Sequence, residues 1–177
     1  MSEHIEKRAK ALTTSRYSLS FYKLQLVRDE GFGMCQEHAV SVVDDILKNC
    51  QSPAISNSSI LHGLVRHVFH KLDREHFVIV GLDAKHRIIG GSLVAIGSLT
   101  AAIIHPREIF KTAIAMNAAA LILLHNHPSG DPTPSPEDHQ LTKRLVDCGE
   151  LLGIQILDHL VLGDDRYYSF ADERVLS

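Results

Sequence analysis

A chain of 177 residues, 45% apolar and with a formal net charge of −3, has the size and balance of one ordinary globular domain, long enough to bury roughly 70% of its unfolded surface without staples. The charge balance does not favour a nucleic-acid-binding surface, although a local basic patch is compatible with it. Three scattered cysteines (Cys35, Cys50 and Cys148) form no C-x-x-C pair, which argues against a disulfide framework and fits reduced thiols in a cytoplasm.

The opening MSEHIEKRAKALTTSRYS is basic but lacks an apolar run, so it reads as neither a signal peptide nor a membrane span. MNAAALILL at 116–124 is likewise too short to cross a bilayer. Tyr22, Leu24 and Leu26 alternate with Lys23 and Gln25 as a half-buried strand does, and GFG at 31–33 breaks the pattern. Val40, Val43, Ile46, Leu47 and Cys50 then recur at helical spacing. After the loop SPAISNSS, which ends in good N-cap residues, Ile60, Leu61, Leu64, Val65, Val68 and Leu72 mark the apolar face of a second helix.

FVIVGLD (77–83) reads as a buried strand, DAKHR as a turn, and IIGGSLVAIGS (88–98) and TAAII (100–104) as further strands, with a bulge or bend at Gly90 and Gly91. Pro106 suits the first position of a helix reaching Met116, and ALILL (120–124) is a buried strand. The loop HNHPSGDPTP carries three prolines, which block a regular ladder. A helix follows from Pro136 to about Leu152 and stops at Gly153, and IQILDHLVLG and YYSF close the chain as strands. With no internal repeat, this mixture predicts an α/β or α+β domain built on a mixed sheet. His62, His67, His70 and His86, four of the 12 histidines, fall in helix or turn contexts and read as carrying no chemistry.

The informative stretch is LLHNHPSGDPTPSPEDHQL, in which His125, His127, Ser135 and Asp138 stand in the pattern H-x-H-x7-S-x2-D. Two imidazoles and one carboxylate are the three protein ligands of a catalytic zinc, which keeps its fourth place for water; a structural zinc would be closed by four ligands, usually including thiolates. His125 ends a strand, and residues i and i+2 of an extended chain share a side. Ser135 as N-cap and Pro136 at the first helical position place Asp138 at the third, where its carboxylate can turn to the same point. Zinc lowers the pKa of water from 15.7 to about 7, which leaves a proton to be carried by a carboxylate that is not a ligand. Glu75, directly before the FVIVGLD strand, is the first candidate for that task and Glu108 the rival. The Ser135 hydroxyl would steady an oxyanion, and S-x-x-D is also a serviceable capping box.

On these residues the chain resembles the JAB/MPN metalloenzymes, whose JAMM motif is met by Glu75, His125, His127, Ser135 and Asp138. Within them it is similar to the bacterial RadC-like proteins through REHFVIVGLD (74–83), HPREIFKTAI (105–114), LLHNHPSGDPTPSPED (123–138) and GIQILDHLVLG (153–163). The resemblance covers residues 52–177 and leaves 1–51 as an N-terminal extension, without the helix-hairpin-helix region that longer RadC proteins carry. It implies a cytidine-deaminase-like α/β fold, a mixed sheet flanked by helices, and one zinc held by His125, His127 and Asp138. It further implies Glu75 as general acid and base, Ser135 as transition-state support, and cleavage of an amide bond in a peptide or protein substrate within a bacterial cytoplasm. A DNA-associated role and a non-catalytic scaffold are the alternatives. Deamination is not expected, because the H-x-E and P-C-x-x-C ligands are absent. Asp158–His159 and His105–Arg107 match family strings too, and structural hydrogen bonding is the favoured reading of both pairs.

Overall fold

A computed structural model of the protein describes residues 42–47, 55, 57–70, 72–97 and 104–176. The expected strand around Tyr22, the GFG break and most of TAAII lie outside these residues; Ile104, the last of that segment, is buried and not in a strand. A helical segment over 42–47 (α1) precedes α2 (Ser58–Phe69), β1 (His76–Leu82), β2 (Ile88–Ile96), α3 (Pro106–Ala115), β3 (Ala120–Asn126), α4 (Pro136–Leu152), β4 (Gln155–Leu162) and β5 (Tyr167–Ser169).

The strands form one mixed sheet in the order β2-β1-β3-β4-β5. Neighbours are antiparallel except β3 and β4, which run parallel. A parallel pair needs a long crossover, and α4 supplies it. β1 and β3 lie at the centre and are buried along their whole length, which is why both read as unbroken apolar runs and not as alternation.

α2, α3 and α4 each begin where a side chain satisfies a first free N–H group. Asn57 accepts from Ile60 N at 2.8 Å, His105 accepts from Arg107 N at 3.1 Å ahead of Pro106, and Ser135 caps α4 ahead of Pro136. Gly153 ends α4 with φ of 68°, a left-handed geometry that costs glycine nothing. One core packs Val42, Ile46, Leu61, Val65 and Val68 from the helices onto Val78, Val80, Ile122, Leu124 and Leu160 of the sheet.

Three sequence expectations need correction. Leu72 lies beyond α2, which ends at Phe69 with His70 as its C-cap. Ile60 is 48% exposed, because the buried stripe of α2 runs Leu61, Val65, Val68 and residue 60 points about 100° away from it. The sheet irregularity lies at Ile89, one residue before the two glycines, where the pairing passes from Gly81↔Gly90 to Leu82↔Ile88. A second shift skips Val94, between Phe77↔Ala95 and Val78↔Leu93.

Gly149 lets the chain that leaves α4 pass back closely over the helix. A Cβ there would stand 2.5 Å from the carbonyl oxygen of Ile154. Gly149→Ala should therefore destabilise the protein by about 1–3 kcal/mol in urea unfolding, although alanine is by itself the better helix former.

Candidate metal centre

The site stands at one end of β3. His125 is fully buried, paired across the sheet with Phe77 of β1 and Val161 of β4. His127 follows the strand, its N–H held by Leu162 O at 2.8 Å. The chain then turns, with Gly130 N donating to His127 O at 3.0 Å, and Asp131 accepts from both the backbone and the hydroxyl of Thr133. α4 begins directly after this loop and brings Asp138 in its first turn.

These elements converge the three expected ligands. The Nε2 atoms of His125 and His127 are 3.1 Å apart, and the Asp138 carboxylate lies 3.4 Å from the first and 3.6 Å from the second. All three donor atoms fall within 4.8 Å of one another, and among the described residues this is the one such grouping of His, Cys, Asp and Glu. Asp138 also accepts from Ser135 N and from Ser135 Oγ, each at 2.7 Å, while its own N–H donates to Ser135 Oγ at 3.1 Å. Ser135 and Asp138 thus form the complete capping box of α4, with the carboxylate oriented toward the histidines.

The protons on the rings follow from their outer partners. His127 Nδ1 lies 2.8 Å from Asp131 O; a carbonyl only accepts, so Nδ1 carries the hydrogen and a neutral His127 presents a bare Nε2. Burial pushes His125 down to about 4, so that ring is neutral. The Asp138 carboxylate raises His127 above its ordinary value, with the charge of Glu75 a lesser contributor. Burial works against the charged form of Asp138, but His127, the field of His125 and the Ser135 donors outweigh it and hold the carboxyl well below its usual range. Two imidazole nitrogens and one carboxylate at this spacing fit zinc and leave a coordination place open; iron, manganese or cobalt would also accept the set.

Glu75 sits just ahead of β1, half-buried. The antiparallel register that sets Phe77 opposite His125 carries it to the level of His127. Its backbone is pinned by a residue that sequence reasoning passed over. The buried Asn126, the middle of HNH, accepts from His76 N at 2.8 Å and donates to Arg74 O at 3.0 Å, so it grips the chain on both sides of Glu75. Asn126→Ala should cost about 1–3 kcal/mol of stability by removing the acceptor of the buried His76 N–H, readable as a lowered urea midpoint, while Arg74 O keeps the His76 ring as a partner. Glu108, the rival, is engaged elsewhere: Lys111 at 2.5 Å and Arg107 at 3.2 Å hold its carboxyl below its ordinary value.

One member of each family pair, His105 and Asp158, makes structural hydrogen bonds. His105 caps α3. Asp158 accepts from Ser58 Oγ and Ser169 Oγ, both at 2.8 Å, and from the N–H groups of His159 and Ala171, binding β4 to the start of α2 and to the chain after β5. Neither the sequence spacing nor the motif exposes these partners, since Ser58 and Asp158 are 100 residues apart.

Comparison with known proteins agrees with the geometry. Residues 55–175 match the family described as RadC-like JAB domain. A protein of Desulfitobacterium hafniense named UPF0758 protein is 49% identical over 124 residues, which is 70% of this chain and 55% of that protein. The UPF0758 protein of Moorella thermoacetica is 40% identical over 157 residues, 86% of this chain and 69% of its own length, and that of Geobacillus kaustophilus is 53% identical over 102 residues, 58% of this chain and 45% of that protein. The chain spans about half the length of most of the curated relatives it matches, 55% and 50% in two of them.

Proposed function

The chain belongs to the RadC-like JAB domain family, and from that premise we propose that it is a zinc-dependent hydrolase of the JAMM type, a metallopeptidase or isopeptidase that cleaves an amide bond with an activated water. The observation that carries this reading is the convergence of His125 Nε2, His127 Nε2 and the Asp138 carboxylate within 4.8 Å. To act as ligands both rings must be neutral, and their Nε2 atoms, 3.1 Å apart, would then turn two lone pairs toward one point, where a cation takes the place of the proton that Asp138 favours on His127.

His125, His127 and Asp138 would hold the ion. Zinc so held supplies positive charge that polarises the scissile carbonyl and acidifies a water molecule. Glu75 would accept the proton of the attacking water as the water oxygen bonds to the carbonyl carbon, and would return it to the leaving nitrogen as the C–N bond breaks. Ser135 Oγ–H, which donates to Asp138 at 2.7 Å in the resting protein, turns to the oxyanion that develops on the carbonyl oxygen. The substrate is a peptide or a protein tail. Among the described residues no helix is long and apolar enough to cross a membrane.

The test is a screen of linear and isopeptide-linked substrates with the zinc-supplied protein. Hydrolysis that a chelator abolishes and added zinc restores supports the proposal. DNA cleavage or binding without any amide hydrolysis would replace it with the DNA-associated alternative.

A further inference from the structure

His159 takes no part in the chemistry above, yet it is fully buried and touches a metal ligand. We propose that His159 is a positioning residue of the metal centre: together with Thr142 it fixes His125 in the one ring tautomer that offers a bare Nε2 to the ion. The inference rests on the metal-centre reading and adds to it a proton wire that begins and ends at two of the ligands.

The wire can be read from its fixed end. Thr142 Oγ1 lies 2.6 Å from the carbonyl oxygen of Asp138 and 2.6 Å from His159 Nδ1. The hydroxyl has one hydrogen and the carbonyl none, so the hydrogen goes to Asp138 O and the hydroxyl oxygen accepts from His159 Nδ1–H. A neutral His159 then has no hydrogen on Nε2, which lies 2.8 Å from His125 Nδ1. It therefore accepts from His125 Nδ1–H, and His125 keeps its Nε2 lone pair for the cluster.

Packing holds the relay in place. The His159 ring stacks on Phe170 at 5.0 Å with 14° between planes and meets the edge of Phe77 at 5.5 Å. Phe77 also stacks on His125, at 6.0 Å. Removing the hydroxyl of Thr142 lets His159 move its hydrogen to Nε2. His125 Nδ1 must then accept, its own hydrogen moves to Nε2, and the ligand position is blocked.

Two readings on the full chain test this. Long-range proton–nitrogen NMR of the metal-free protein reports each ring's tautomer, and competition with a chromophoric chelator reports zinc affinity. The expected wild type carries its hydrogen on His125 Nδ1. Thr142→Val should weaken zinc binding by about 10-fold and His159→Leu by about 10–100-fold, while Thr142→Ser restores the wild-type value. If His159→Leu does not fold, the Thr142 pair of variants decides the matter.

A wild type that binds zinc but carries the hydrogen on His125 Nε2 in its metal-free form overturns the positioning role alone. So does Thr142→Val with unchanged tautomer and affinity. A wild type with the expected tautomer and no zinc uptake overturns the metal-centre reading, and the metal-positioning role with it.

Discussion

Glu75→Gln should retain zinc and lose hydrolysis by about 10²–10⁴-fold, the range that a positioned proton carrier contributes. The substitution keeps the side chain's shape, and Asn126 grips the backbone on both sides of it irrespective of the side chain, so the fold and the three ligands are left as they were. What disappears is the basicity that takes a proton from water and returns it to the leaving nitrogen. The loss should fall on kcat while zinc content, read by mass spectrometry, stays at the wild-type value. Unchanged activity would transfer the role to another group. Glu108 is a poor replacement, because ion pairs with Arg107 and Lys111 hold it on α3.

Asp138→Ala should strip the metal, and its effect has two separable parts. As the acceptor of Ser135 N and Ser135 Oγ, Asp138 is half of the capping box of α4; losing a cap costs about 0.5–2 kcal/mol whether or not metal is present. As a ligand it supplies the one negative charge of the set. Zinc at about a hundred times its Kd should stabilise the wild type by about 2.7 kcal/mol, and that gain should vanish in the variant. Thermal unfolding of both proteins with chelator and with zinc separates the two parts. An equal rise in Tm with zinc would place the binding site elsewhere.

Much of this architecture is legible in the sequence because its signals are local. Ser135, Pro136 and Gly153 mark both ends of α4 through backbone chemistry that each residue carries by itself, and β1 and β3 announce themselves as central strands by unbroken apolar runs. The convergence of His125, His127 and Asp138 follows from a strand end and a helix start joined by one short loop. Ile60 misleads because it is apolar and adjacent to the buried stripe, and apolar type alone does not say which side of a helix a residue occupies. The partners of Asn126, Thr142 and His159 stay hidden for a different reason. They lie 50, 17 and 34 residues away, so only the sheet order and the β3–α4–β4 crossover bring each pair together.

Metal content of the purified wild type beside His127→Ala tests the central claim most directly. His127 lies after β3 and its ring bonds to Asp131 O at 2.8 Å, so circular dichroism of the variant is read beside its metal content to show that the fold is retained. About one zinc per chain in the wild type, lost in the variant, is the expected result for a three-ligand catalytic site. A wild type that takes up no metal even when zinc is supplied would contradict it, and would leave Glu75 without a proton to move.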